Sequence, residues 1–289
     1  MENKKTPKSK DKKSAPKKAP QGDVIFALDI GTRTVIGVLA KKTSQGCKIL
    51  DVESVAHAKR SMADGQIEDI KSVADDIKRV KRELENRNKI ILSSVCIAAA
   101  GRALKTLRVS WEFKLPENRP ISAETLRNIE LDAVRRTGED FMSKNEGAAF
   151  YCVGHSVISL TLDGFKVQNA EGHRGEQLVT DIIGAFLPVY VVDSLCAAVD
   201  MARLSVASLT LEPIAAIRVA IPEKFRLLNI AMVDVGAGTS DISITDDGSI
   251  IAFGMLPNAG DSSKEHFTEV SLTISILAGG YLTKIHMRS

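Results

Sequence analysis

The same order of residue types occurs in two short stretches, LDIGTRT at Leu28–Thr34 and VDVGAGTSD at Val233–Asp241. Each has an Asp, a β-branched residue and a Gly, followed by small or hydroxylated residues. Glycine in a turn lets backbone N–H groups approach a ligand closely, and such groups suit phosphate oxygens. Aspartate supplies the hard oxygen ligands that hold a hydrated Mg²⁺ beside a phosphate. The repeated motif therefore predicts two turns that clamp a nucleotide polyphosphate.

The small and hydroxylated residues of both motifs are the candidates for phosphate binding, and the carboxylates are the candidates for metal binding. The phosphate-binding candidates are Gly31, Thr32, Arg33, Gly236, Ala237, Gly238 and Thr239. The metal-ligand candidates are Asp29, Asp234 and Asp241. Either motif alone is also common turn chemistry after a strand. Because both occur in the same order and each precedes a second apolar run, we interpret the pair as a binding site.

Apolar strands must position these turns. VIFALDI and TVIGVLA flank the first motif, while LLNIAMVDVG and SDISITD flank the second. Each motif is therefore predicted to be the turn of a β-hairpin that opens a mixed sheet. Between the motifs, apolar residues at spacings of three and four from Ile67 to Val80 predict an amphipathic helix. The duplicated unit predicts an α/β fold with two related lobes that face each other.

A stretch with a different pattern interrupts the first lobe. It contains an alternating strand, a helix that begins after Ser122, and two strands joined by a turn at Asp163. The apolar run LVTDIIGAFL is then predicted to return to the first lobe. The predicted organisation is a first lobe at 23–103 and 176–222, an inserted strand-helix-strand-strand unit at 104–175, and a partial second lobe at 223–261.

Residues 1–22 are rich in Lys, Pro and Ser and contain almost no apolar residues, which predicts a disordered arm. Eight lysines there oppose only Glu2 and Asp11, so the arm carries a charge of +6. The whole chain carries +3, so the remainder is acidic. Two interpretations of the arm stay open: an electrostatic tether to anionic lipid, or a solubilising leader.

Composition narrows the classes of function. Aromatic residues make up 4% of the chain, which leaves little material for stacking bases and argues against specific nucleic-acid binding. The four cysteines lie far apart without paired ligand spacing, as is typical of reduced thiols in a cytosol. No uninterrupted apolar run reaches the length of a membrane span. We therefore expect a cytoplasmic protein with at most peripheral membrane contact.

The two motifs resemble the first and second phosphate motifs of the actin-like ATPase superfamily. The stretch TLEPIAAI is similar to the connecting motif of its chaperone members, and the resemblance assigns Glu212 to ordering a metal-bound water. Glu212 and Asp234 are then the implied catalytic residues. A helix-start carboxylate before Pro213 is the structural alternative for Glu212. The resemblance implies a ribonuclease H-like two-lobe fold with ATP and Mg²⁺ as cofactors.

Within this superfamily the chain resembles the FtsA family of bacterial cell-division proteins. The inserted unit, AAAGRALKTLRV, DGQI at Asp64–Ile67 and GMLPNAGD at Gly254–Asp261 carry the resemblance. It implies an ATP-binding scaffold in the cytoplasm or at the inner face of the membrane. The implied partners are a tubulin-like division-ring protein and further copies of the chain. The residues leave ATP hydrolysis open, and we expect it to be weak or absent because no strong general base is evident.

The resemblance ends near Asp261. Residues 262–289 form an atypical tail where the family continues with a further subdomain and an adenosine-binding motif. This difference predicts an incomplete second lobe in a C-terminally truncated chain. Three alternatives stay open: a pilus-assembly scaffold of the PilM type, a chaperone-type ATPase, and a decayed fragment that binds nothing.

Overall fold

The computed structural model describes residues 24–44, 46–63, 65–101, 103–116, 119–145, 147–256, 260, 274–278 and 281–285. The predicted arm at 1–22 lies outside the described residues, as does the tail at 262–289 except for two short strands. Within the described ranges, no helix is both long enough and apolar enough to span a membrane.

The described part of the chain alternates strands and helices. In chain order the strands are β1 (Val24–Ile30), β2 (Thr34–Thr43), β3 (Gly46–Ala56), β4 (Met62–Ala63), β5 (Gln66–Ile67), β6 (Ser94–Ala99), β7 (Lys105–Lys114), β8 (Phe150–Leu162), β9 (Phe165–Val167), β10 (Gln177–Pro188), β11 (Ser205–Leu211), β12 (Ile230–Val235), β13 (Ser240–Asp246), β14 (Ser249–Leu256), β15 (Ile274–Ala278) and β16 (Tyr281–Ile285). The helices are α1 (Ile70–Asn88), α2 (Ala123–Lys144), α3 (Val189–Met201), α4 (Glu212–Ala220) and α5 (Glu223–Arg226).

A five-stranded mixed sheet carries the first motif. Its strand order is β11-β6-β1-β2-β3, with β1, β2 and β3 antiparallel and with β6 parallel to both β1 and β11. The turn at Gly31–Arg33 joins β1 to β2, as predicted. Strand β11 leads directly into α4, so Glu212 is the first residue of that helix. This sheet thereby fixes both the first turn and Glu212.

Helix α1 packs against this sheet. The Asp69 side chain caps it by accepting a hydrogen bond from the Ser72 backbone N–H at 3.0 Å. Its buried face includes Val73, Ile77 and Val80, which contribute to the main core together with β1, β2 and α3. The spacing of these residues had predicted an amphipathic helix here, and the structure confirms it.

A second sheet has the antiparallel order β7-β10-β8-β9, with α2 packed against it. The run that forms β10 is predicted from the sequence to return to the first lobe, and in the structure β10 pairs with β7 and β8. Strand β10 is buried on both faces: Leu178 and Ile182 pack under α2, while Ile183 and Leu187 join the main core. A strand that is buried on both faces lacks the alternation of polar and apolar residues that would show which sheet it joins. The domain boundaries themselves stay predictions.

A third sheet, β12-β13-β14, carries the second motif and is antiparallel throughout. The turn after Val235 joins β12 to β13, which confirms the second predicted hairpin. Ile250 and Phe253 on β14 join the main core, and α4 contacts β13. Strands β15 and β16 pair with each other. The third sheet is therefore packed against the part of the chain that carries the first motif.

Candidate functional site

The two repeated motifs fold into the same local turn. The Gly31 N–H donates to the Thr34 carbonyl at 2.9 Å, and the Gly236 N–H donates to the Thr239 carbonyl at 2.9 Å. In each motif, one residue separates the aspartate from the first glycine of the turn. The similarity predicted from residue order therefore extends to backbone geometry.

The two turns also touch each other. A Cβ atom placed on Gly238 would lie 2.6 Å from the Thr32 Oγ1 atom, so only glycine fits there without movement. Gly65, in the DGQI segment, has a left-handed backbone with φ of +73°, and a Cβ there would lie 3.2 Å from Thr239 Cγ2. The structure thus brings Thr32, Gly238 and Thr239 together at one place.

Four carboxyl groups gather behind these turns. Asp234 on β12 lies directly opposite Asp241 on β13, a register that places the two side chains on the same face of the sheet. Asp29 lies near the end of β1, just before the first turn, and Glu212 is the first residue of α4. Burial, followed by the charges of Asp241, Asp29 and Asp234 in that order, raises the pKa of Glu212 to about 8.

The aspartates influence one another in the same direction. Burial and then the charge of Asp234 raise the pKa of Asp241 to about 6. Asp29 is exposed to solvent, but the protein around its carboxyl group displaces enough water to raise its pKa. The negative charge of Asp234 raises this pKa as well. Like charges held close together in a partly dry site favour a bound cation or a bound proton. The arrangement is therefore suited to a cationic ligand.

The buried Asp241 carboxylate supports this interpretation. Its side chain is 4% exposed, and its Oδ1 atom has no hydrogen-bond partner among the described residues. Within the same residues, no three His, Cys, Asp or Glu side chains lie close enough to hold a metal ion directly. Asp29, Asp234 and Asp241 thus do not form a direct three-ligand cage. They fit a hydrated Mg²⁺, which keeps most of its waters and uses one or two carboxylates.

The predicted residues differ in exposure. Thr239 is buried, whereas Thr32, Gly31, Ala237 and Gly238 are half-buried. Arg33, Asp234 and Gly236 are exposed at the site. The half-buried backbone of both turns is the surface that phosphate oxygens would contact.

Sequence reasoning missed His57. Its ring Nδ1 lies 2.8 Å from Asp76 Oδ2, and its Nε2 lies 3.1 Å from the Gly31 carbonyl oxygen. Its backbone N–H donates to the Arg33 carbonyl at 2.9 Å. No motif pairs a histidine after β3 with an aspartate in the middle of α1, so only the fold reveals this support of the first turn.

A cavity of about 460 Å³ lies away from these carboxylates. It is bounded by α2, β8, β9 and β10, and by the turn between β13 and β14. The Lys166 ammonium and the Asp247 carboxylate meet across its rim at 3.1 Å. None of the predicted site residues lines it, so the phosphate-binding hypothesis depends on the facing turns and not on this cavity.

Comparison with known proteins places the chain in a class. No family model matches the sequence. A solved structure, the PilM-PilN type IV pilus biogenesis complex, superposes with a TM-score of 0.59 at 18% identity over 83% of this chain and 63% of that chain. Together with the mixed α/β architecture, this similarity gives the protein the actin-like ATPase fold that the sequence predicted.

Within this fold class the protein is FtsA-like in sequence. It is 24% identical to the cell division protein FtsA of Pseudomonas aeruginosa over 247 residues, which cover 83% of this chain and 55% of the relative. It is 23% identical to FtsA of Escherichia coli K12 over 245 residues, which cover 84% and 56%. The chain therefore spans about half the length of the curated relatives it matches.

Proposed function

We propose that this protein is an ATP-binding, actin-like scaffold of bacterial cell division. The observation that carries the proposal is the contact between two turns closed by the same backbone hydrogen bond, beside four carboxyl groups. Backbone N–H groups of both turns bind the phosphate oxygens of the nucleotide, and Thr32 and Thr239 add hydroxyl donors. Sequence similarity to cell division protein FtsA supports the assignment to division.

Asp29 and Asp234 would hold a hydrated Mg²⁺ through its waters, and the buried Asp241 would contribute negative charge. When bound, Mg²⁺ neutralises phosphate and carboxylate charge. Glu212, the first residue of α4, would order a water near the terminal phosphate. Its pKa is raised to about 8, so it is largely protonated at neutral pH until a cation binds. We expect ATP turnover to be slow or absent, as suits a scaffold, because no strong general base is evident.

The scaffold works through association with copies of itself and with a tubulin-like division-ring protein. The Lys-rich residues 1–22 supply the charge for peripheral contact with anionic lipid at the inner face of the membrane. A pilus-assembly scaffold is the second candidate, favoured by the similarity to the PilM-PilN structure. Binding of the purified chain to a tubulin-like division protein, and not to a pilus-assembly peptide, would separate the two.

Calorimetric titration with ATP and ADP, with and without Mg²⁺, tests the nucleotide site. Asp234→Ala should abolish the dependence on Mg²⁺. Asp246→Ala is the matched control, because Asp246 is also an exposed aspartate on the β12-β13-β14 sheet but lies at the far end of β13. Absence of binding to the wild-type chain, or equal behaviour of the two variants, would overturn the site.

A further inference from the structure

One residue holds the first turn at two points. The His57 ring meets the Gly31 carbonyl oxygen at 3.1 Å, and the His57 backbone N–H donates to the Arg33 carbonyl at 2.9 Å. The ring is anchored from the other side by Asp76 on α1, at 2.8 Å. The turn is therefore linked through His57 to a helix of the main core.

Burial makes the two ring contacts of His57 costly to lose. A carbonyl oxygen only accepts hydrogen bonds, so the ring donates from Nε2 to Gly31. The side chains of His57 and Asp76 are only 3% and 7% exposed, so water would not replace a lost bond.

Asp76 is itself held in place. It faces the ring from α1, and the Arg79 guanidinium, also on α1, lies 3.4 Å from its second side-chain oxygen. The turn between β1 and β2 presents the Gly31 and Arg33 main-chain carbonyls to His57.

We propose that His57, held by Asp76, is a positioning residue that fixes the first phosphate turn for nucleotide binding. The inference rests on the proposed nucleotide site and adds a support that lies outside both motifs. Without the donor at Nε2, the Gly31 carbonyl loses its side-chain hydrogen bond, and the turn loses its order.

Two variants separate the hydrogen bond to Gly31 from the presence of the ring. His57→Gln places an amide N–H near the position of Nε2, so a donor to Gly31 remains. His57→Asn places its amide near Nδ1 and loses the bond to Gly31.

The measurement is the dissociation constant of Mg-ADP for each variant at one pH. His57→Asn should bind about tenfold more weakly than wild type, because it lacks the donor to Gly31. His57→Gln should recover most of the wild-type affinity, because its amide N–H replaces that donor.

Equal loss of affinity in His57→Asn and His57→Gln would overturn the proposal, because a loss that comes only from removing the ring does not depend on the donor. Amide hydrogen exchange gives a second readout without nucleotide, since the Gly31 N–H closes the turn by donating to the Thr34 carbonyl. Faster exchange of this amide in His57→Asn than in His57→Gln supports the proposal, and equal exchange in both overturns it. If wild type binds no nucleotide, the proposed function fails, and the exchange readout still decides the role of His57.

Discussion

Replacing Gly238 with alanine is the most direct test of whether the two turns act as one clamp. A Cβ at this position would lie 2.6 Å from Thr32 Oγ1, 2.9 Å from Thr32 Cγ2 and 3.2 Å from Thr32 Cβ. Rotation of the Thr32 side chain does not relieve the clash, because another of these atoms then takes the same place. The two turns must therefore move apart.

The size of the effect follows from these distances. The shortest contact must lengthen by about 0.8 Å to reach an ordinary van der Waals separation. Overpacking of this kind costs about 1–3 kcal/mol, and a displacement near 1 Å in a binding site reduces function by about 100-fold. We expect Gly238→Ala to weaken binding of Mg-ATP by about 10- to 100-fold.

Isothermal calorimetry measures the dissociation constants, and a circular dichroism melt checks that the fold persists. Gly254→Ala is the matched control, because a Cβ at Gly254 on β14 has no atom within 4 Å. We expect this control to bind like wild type. Wild-type affinity in Gly238→Ala, or an equal loss in both variants, would refute contact between the turns as the basis of binding.

Two further predictions follow from the carboxyl groups. Because the pKa of Glu212 is raised to about 8 and that of Asp241 to about 6, the folded protein without metal holds protons that the unfolded chain releases. Its thermal stability should therefore fall as pH rises from about 4.5 to about 8. Glu212→Gln should flatten the upper part of this dependence of melting temperature on pH. A melting temperature that rises over this range contradicts the reasoning. Binding of Mg²⁺ with ADP should release protons at about pH 7, since a cation favours the ionised carboxyls. Calorimetry in buffers of different ionisation enthalpy measures this release, and a buffer-independent enthalpy argues against it.

Local elements were predictable where their signals lie within a few residues. The spacing of Val73, Ile77 and Val80 predicted α1, and Ser122 marked the start of α2, where its side chain accepts from the Thr125 N–H at 3.1 Å. The two motif turns were predictable for the same reason. In each case the interaction that stabilises the element joins neighbours in the chain.

The placement of β10 was not predictable in this way. An apolar run buried on both faces is compatible with either sheet, and its partners β7 and β8 are separated by a helix of 22 residues. Helix α2 covers the Leu178 face and the main core covers the Ile183 face. Which sheet such a strand joins depends on long-range packing.

By itself, the sequence determined the residue types of the site, the two hairpin turns that carry them and the helix beside the first, because each depends on chain neighbours. Only the tertiary structure decided that Gly238 contacts Thr32 and that the negative charges of three aspartates act on Glu212. It also decided that His57 reaches Gly31. These contacts join segments far apart in the chain at separations of a few ångströms, and local patterns of residue types do not encode such distances.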